Sequence, residues 1–160
     1  MPKALIIGYG NILRGDDGVG WVIAEKLKEL LPQELVTVQT HVQLTPEMVA
    51  DLSEVELVVF IDAQTDGPAG TVTCQPVEPL TISPLSFSHH LTAATLLSLS
   101  LHLFGKAPKA YLVSVNGDNF EHQEELSPPV QNSVPKAIET VLNLLMNANL
   151  VNPPTLTEKT

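Results

Sequence analysis

Ala4-Leu5-Ile6-Ile7-Gly8-Tyr9-Gly10-Asn11-Ile12-Leu13-Arg14-Gly15-Asp16-Asp17-Gly18-Val19-Gly20 carries three patterns in turn. Ala4–Ile7 is a short, unbroken apolar run ending at a glycine, the signature of a strand buried on both faces. Gly8 to Gly20 is rich in glycine and polar residues and reads as a loop. From Val19 onward, Val22, Ile23, Leu27 and Leu30 recur at helical spacing, Glu25, Lys28 and Glu29 take the opposite face, and Pro32 ends the helix. A buried strand, a tight acidic loop and an amphipathic helix make the first half of a β-α-β unit, and such units build parallel sheets.

The rest of the chain repeats the alternation. Leu35–Gln39 reads as a second strand, Pro46–Leu52 as a short helix, and Val55–Ile61 as the clearest buried strand, ending in Asp62-Ala63. After the Asp66-Gly67-Pro68 turn, Gly70–Val77 alternates in character and suits antiparallel pairing. Leu91–Phe104 reads as a helix buried nearly all round. Ala110–Val115 is a further strand, followed by the turn cluster Asn116-Gly117-Asp118-Asn119, and Val134, Ala137, Ile138, Val141 and Leu145 mark a long last helix. The expected architecture is an α/β sandwich with a mostly parallel sheet and right-handed crossovers. One domain is expected over residues 1–150, with a flexible tail over residues 151–160.

Composition narrows the function. The formal net charge of −10 disfavours a nucleic-acid partner, because an acidic surface repels phosphates. The longest apolar stretch, around Leu91–Phe104, is too short and too interrupted by Ser, Thr and His to span a bilayer. The N-terminus lacks a signal-peptide layout, and Cys74 has no partner for an intrachain disulfide, so a cytoplasmic setting is expected. Cys74 has no nearby basic residue to activate it and reads as inert.

Ligands of open α/β sheets bind beyond the carboxyl ends of the strands, where the strand order reverses. With a flavodoxin-like order, the first and third strands flank that point. Asn11, Asp16 and Asp17 then follow one strand and Asp62 the other. His89-His90 stands at the start of the buried helix, so two carboxylates and an imidazole would form a site suited to a borderline divalent ion. Each residue also has a plainer reading. Asp16 and Asp17 precede a helix, where Asp is a common N-cap. Asp62 could bond the amides of a turn, and His89 could be a polar boundary residue. His41, His102 and His122 have no evident partner.

Several familiar chemistries are absent. A dinucleotide fingerprint requires glycine where Leu13 stands, and Asp16-Asp17 at the helix start would repel a pyrophosphate. Neither Gly-x-Ser-x-Gly nor His-Glu-x-x-His occurs. The glycines of the first loop are therefore expected to let the backbone turn tightly beside a ligand or an incoming peptide.

The segment Leu5–Gly20 closely resembles the opening motif of the hydrogenase maturation proteases. Phe60-Ile61-Asp62-Ala63 resembles their second acidic motif, and Ser88-His89-His90-Leu91 their histidine motif, whose spacing selects His89 over His90. Gly117 to Val130 is also similar, so the resemblance covers the chain up to its last helix. It implies a three-layer sandwich in which a five-stranded, mostly parallel, twisted sheet is flanked by helices. It further implies an endopeptidase that removes the C-terminal extension of a [NiFe]-hydrogenase large-subunit precursor. On this resemblance Asp17, Asp62 and His89 are both the catalytic and the metal-binding residues. The metal is nickel carried by the precursor, with no permanent organic cofactor. Many members carry glutamate where this chain has Asp17, one methylene shorter. The attacking water would be activated by the metal, or by Asp62 or Asp16 as base. His41-Val42-Gln43-Leu44-Thr45-Pro46-Glu47 looks like members that serve bidirectional, NAD-linked hydrogenases. The expected partner is the large-subunit precursor, with no nucleic acid and no membrane, and the chain is expected to be a monomer. The alternative is a non-catalytic nickel-binding maturation chaperone of the same fold.

Overall fold

The computed structural model describes residues 2–80 and 91–151 of the chain. The elements run β1 (Ala4–Tyr9), α1 (Val19–Leu30), β2 (Val36–His41), α2 (Val49–Leu52), β3 (Leu57–Gln64), β4 (Val72–Val77), α3 (Ala93–Phe104), β5 (Lys109–Asn116) and α4 (Pro128–Asn147). Short 3-10 turns at Gly15–Gly18 and Pro46–Met48 lead into α1 and α2. The five strands form one sheet in the order β2-β1-β3-β5-β4. All neighbours pair parallel except β4 with β5. The architecture is the α/β sandwich expected from the sequence, antiparallel edge included.

Side-chain alternation divides the core. Ile6, Val59, Ile61, Val113 and Val115 point to one face and pack with Ile23 and Leu27 of α1 and Val134, Ala137, Val141 and Leu145 of α4. Leu5, Ile7, Val58 and Phe60 point to the other, against Leu52 of α2 and Leu96 and Leu97 of α3. Because β1 and β3 are covered on both faces, they read as continuous apolar runs. Each fully buried Leu, Ile or Phe contributes about 1.5–3 kcal/mol. The edge strand β4 differs: Thr73, Cys74, Gln75 and Pro76 are exposed, and a proline is tolerated there as it would not be in mid-sheet.

Two glycines set the distance between α1 and the sheet. A Cβ on Gly8 would come within 2.2 Å of the Gly20 carbonyl oxygen, and one on Gly20 within 2.5 Å of the Ile61 carbonyl oxygen. The first turn of α1 thus lies directly on the backbones of β1 and β3.

Several boundaries differ from expectation. β3 runs three residues past Ile61, to Gln64, because β5 continues beside it and supplies partners for Asp62 through Gln64. α3 starts at Ala93, where Thr92 and Thr95 form a reciprocal capping pair, and ends at Gly105 in the left-handed conformation. It is not buried all round. Leu101, Leu103 and Phe104 are roughly half-exposed, so the apolar content of its last turn exceeds what neighbouring elements cover. α4 begins at Pro128, upstream of the expected apolar repeat. Pro128 and Pro129 occupy the first turn, whose N–H groups need no intrahelical acceptor.

Candidate active site

β1 and β3 are neighbours, so the loop after β1 and the end of β3 open into one crevice at the carboxyl ends of the strands. The loop is held from several sides. The N–H of Gly10 donates to the His41 carbonyl (3.0 Å), and the Trp21 indole donates to the carbonyls of Gly10 (2.9 Å) and His41 (3.0 Å). Gly10 has φ +144°, and a Cβ there would stand 2.0 Å from the Asp17 carbonyl oxygen. At Gly10 the tight backbone turn expected from the sequence brings the chain against itself. The chain itself fills the space, and Gly10 serves as the seat against which Asp17 rests.

Asp17 lies in the 3-10 turn, half-buried, and its Oδ2 accepts the N–H of Asn11 (2.7 Å). Asp62 belongs to the body of β3 rather than to a turn. Its Oδ1 accepts the Ser114 hydroxyl (2.7 Å), and its Oδ2 accepts the Tyr9 hydroxyl (2.9 Å) and the Gln64 side-chain amide (3.1 Å). Ser114 stands directly across from Asp62 on β5. Burial raises the Asp62 pKa, the three donors work against that rise, and the negative charge of Asp17 adds to it. The two carboxylates thus sense each other in one crevice. Burial, then Asp62, also drives the Tyr9 pKa upward, so Tyr9 remains a neutral donor.

Asp16, next to Asp17 in sequence, has a different place. It is fully buried. Its Oδ2 accepts the N–H of Asp118 (2.7 Å), the N–H of Asn119 (2.9 Å) and the Ser127 hydroxyl (2.7 Å), and its Oδ1 accepts the Ser127 N–H (2.7 Å). Burial alone would raise its pKa, but the hydrogen bonds from Asn119, Ser127 and Asp118 outweigh it and the net direction is down. Neither reading of Asp16 from the sequence survives. It does not cap its own helix, and its occupied oxygens leave it unsuited to activate a water. It ties the first loop to residues 118–127 and the start of α4.

His89 and His90 lie outside the described residues, as do residues 81–88 before them. Among the described residues, no three His, Cys, Asp or Glu side chains gather closely enough to hold a metal ion. Asp17 and Asp62 provide two carboxylates. His41 pairs with Gln39 Oε1 (2.9 Å). Tyr9, Gln64 and Ser114 were not picked out from the sequence. A usable signal for Ser114 was present, since Ser114 and Asn116 put polar side chains at alternate positions at the end of the apolar run Ala110–Val113.

No protein-family model matches the chain. The hydrogenase 2 maturation protease of Escherichia coli strain K12 is 27% identical over 155 residues, spanning 92% of this chain and 93% of that protein. The hydrogenase-maturating endopeptidase HybD from E. coli superposes with a TM-score of 0.73 at 25% identity, covering 91% of this chain and 93% of that one. The [NiFe] hydrogenase maturation protease HycI from Thermococcus kodakarensis KOD1 gives a TM-score of 0.71 at 26% identity, covering 90% and 92%. The shared fold, with similarity along about nine-tenths of each chain, supports the hydrogenase maturation protease family for this chain and puts it among the hydrolases.

Proposed function

We propose that the chain is an endopeptidase that removes the C-terminal extension of a nickel-loaded [NiFe]-hydrogenase large-subunit precursor, and that the precursor's nickel is the element it recognises. The observation that carries this reading is the pair Asp17 and Asp62, brought into one crevice from a 3-10 turn and a strand far apart in the chain. Asp62 is a buried carboxylate whose ionised form is costly, and it is held by three donors. Such a group is expensive to keep and characteristic of a working site. In this reading the incoming nickel offsets the repulsion between the two carboxylates, and His89, assigned by its motif, completes the grip. Tyr9, Ser114 and Gln64 fix the Asp62 carboxylate in one orientation, as hydrogen bonds behind a metal ligand commonly do. Positioning of the scissile bond by the held metal supplies a large part of the rate enhancement. The water is activated by the nickel or by Asp62, since Asp16 is sealed.

The chain works in the cytoplasm as a monomer in this reading, and no helix among the described residues is long and apolar enough to cross a membrane. The segment His41–Glu47, which resembles that of members serving bidirectional NAD-linked hydrogenases, directs the first choice of precursor. The test is intact-mass analysis of a large-subunit precursor mixed with the protein, with and without nickel loaded. Loss of a short C-terminal peptide only from the loaded form is expected. Cleavage of both forms alike would remove nickel as the recognition element. No cleavage of precursors from any hydrogenase class would remove the protease activity. His89→Ala should weaken capture of the loaded precursor at least tenfold and His90→Ala much less, and the reverse ranking would reassign the ligand.

A further inference from the structure

Beside Asp62 a polar groove of about 320 Å³ opens over the sheet face that carries β3, β5 and β4. Strand register explains it. Asp62, Ser114 and Thr73 stand in line across the three strands, Gln64 lies opposite Asn116, and Leu112 lies between Phe60 and Gln75. Residues in register point to the same face. The result is a shelf of amides and hydroxyls whose inner end is two of the three donors to Asp62, Ser114 and Gln64, and whose outer rim is the exposed pair Thr73 and Gln75. Two strand spacings make it roughly 10 Å long, about three residues of extended chain.

The lining chemistry selects a class of occupant. Leu112 gives a small apolar floor, and the Asn116 amide is steadied by donating to the Asp66 carbonyl (2.9 Å). Among the described residues that line the groove, none is basic and Asp66 carries the only charge. Those described residues therefore supply no cation to hold a phosphate or a free carboxylate. The side-chain amides and hydroxyls offer both donors and acceptors, the two kinds of partner that peptide N–H and C=O groups need.

We propose that this groove is a polypeptide subsite that seats, in extended form, the residues of the precursor flanking the scissile bond, with a preference for neutral or basic over acidic side chains. The proposal rests on the protease reading for the identity of the peptide, and adds where that peptide lies and which residues select it. A chain laid along the shelf reaches the Asp62 carboxylate at its inner end, so the groove aligns the bond that the metal-held crevice is to cleave.

The test uses Thr73→Trp, which fills the groove from the edge strand, and Gln75→Ala, which removes an amide from its rim. Neither residue bonds Asp62, and thermal melts check that both variants fold like the parent. The readouts are KM for a nickel-loaded precursor, and the affinity of a fluorescent peptide copying its cleavage region by anisotropy. Thr73→Trp is expected to raise KM and weaken the peptide at least tenfold, Gln75→Ala about threefold, while capture of the nickel-loaded large subunit already lacking its extension is unchanged. Exchanging neutral residues of the peptide for Asp should weaken it in the parent protein. If the parent protein cleaves the precursor and both variants keep its KM and peptide affinity within twofold, the groove proposal is overturned and the protease reading stands. If the parent cleaves nothing yet binds the peptide in a Thr73-dependent way, the groove stands and the protease reading falls. Absence of both cleavage and peptide binding overturns both.

Discussion

Asp16 and Asp17 are adjacent and chemically identical, yet the fold gives them opposite work. Asp16 spends its carboxylate on four hydrogen bonds inside the protein. Asp17 keeps its carboxylate at the crevice, with one backbone donor behind it. Charge-assisted bonds to buried N–H groups are costly to lose, because the donors are left without an acceptor. Asp16→Asn should therefore lower stability by about 2–4 kcal/mol, measured by urea unfolding. Asp17→Asn should change it by less than about 1 kcal/mol while stopping precursor processing. Equal losses of stability in the two variants would count against this division. Asp62→Asn should also stop processing, but with stability at pH 7 equal to or above the parent's, since it removes an ionised group that burial penalises. A clear destabilisation would mean that the three donors outweigh the burial. The carboxylates of the crevice were legible in the sequence because Asp62 directly follows a strongly apolar run and Asp17 lies in the glycine-rich loop after the first one. The separate fate of Asp16 was not, because its partners, Asp118, Asn119 and Ser127, are more than a hundred residues away and only the tertiary fold brings them near.

At the scale of the elements, what reads well is whatever depends on local periodicity, and what reads poorly depends on a neighbour. β1, α1 and the antiparallel character of β4 follow from apolar spacing and turn residues. The end of β3 does not, since Asp62–Gln64 stay in strand form only through the hydrogen bonds of β5. The exposed end of α3 is a similar case, because composition shows how apolar a helix is but not how far its neighbours extend. The packing of α1 on the sheet gives a sharp test. Helix propensity alone makes Gly20→Ala stabilising by about 1 kcal/mol. The added Cβ would sit 2.5 Å from the Ile61 carbonyl oxygen and 3.0 Å from the backbone of Tyr9. Backbone cannot yield as a flexible side chain can, so the contact wins and the net effect should be a loss of roughly 2 kcal/mol. Because Ile61 precedes Asp62 and Tyr9 bonds it, processing should fall in the folded fraction as well. A stabilised, fully active Gly20→Ala protein would show that α1 can move away from the sheet without disturbing the site.

The whole molecule carries a net charge of −10 at pH 7, and the buried carboxylates Asp16 and Asp62 respond to pH in opposite directions. Asp62 has a raised pKa in the folded protein, so its contribution is complete below the ordinary carboxylate value of 3.8 and is lost as pH rises through the raised value. Asp16 has a lowered pKa, so its contribution is present above 3.8 and disappears as pH falls through the lowered value. Mutual repulsion of the excess acidic groups adds to the Asp62 trend, because it relaxes as pH falls toward the isoelectric point near 4.7. Two of the three terms thus favour mild acid, and the third sets its lower limit. Stability should rise from pH 8 to about pH 5 and turn over below about pH 4, read from urea midpoints at constant ionic strength. Asp62→Asn should flatten the rise, leaving only the part due to net charge, which added salt then suppresses. Asp16→Asn should lower the curve at neutral pH and weaken the fall on the acid side, because the group whose protonation drives that fall is gone. A parent protein whose stability drops steadily from pH 8 to pH 5 would show that other carboxylates, stabilised in the fold, outweigh Asp62 and the net charge together.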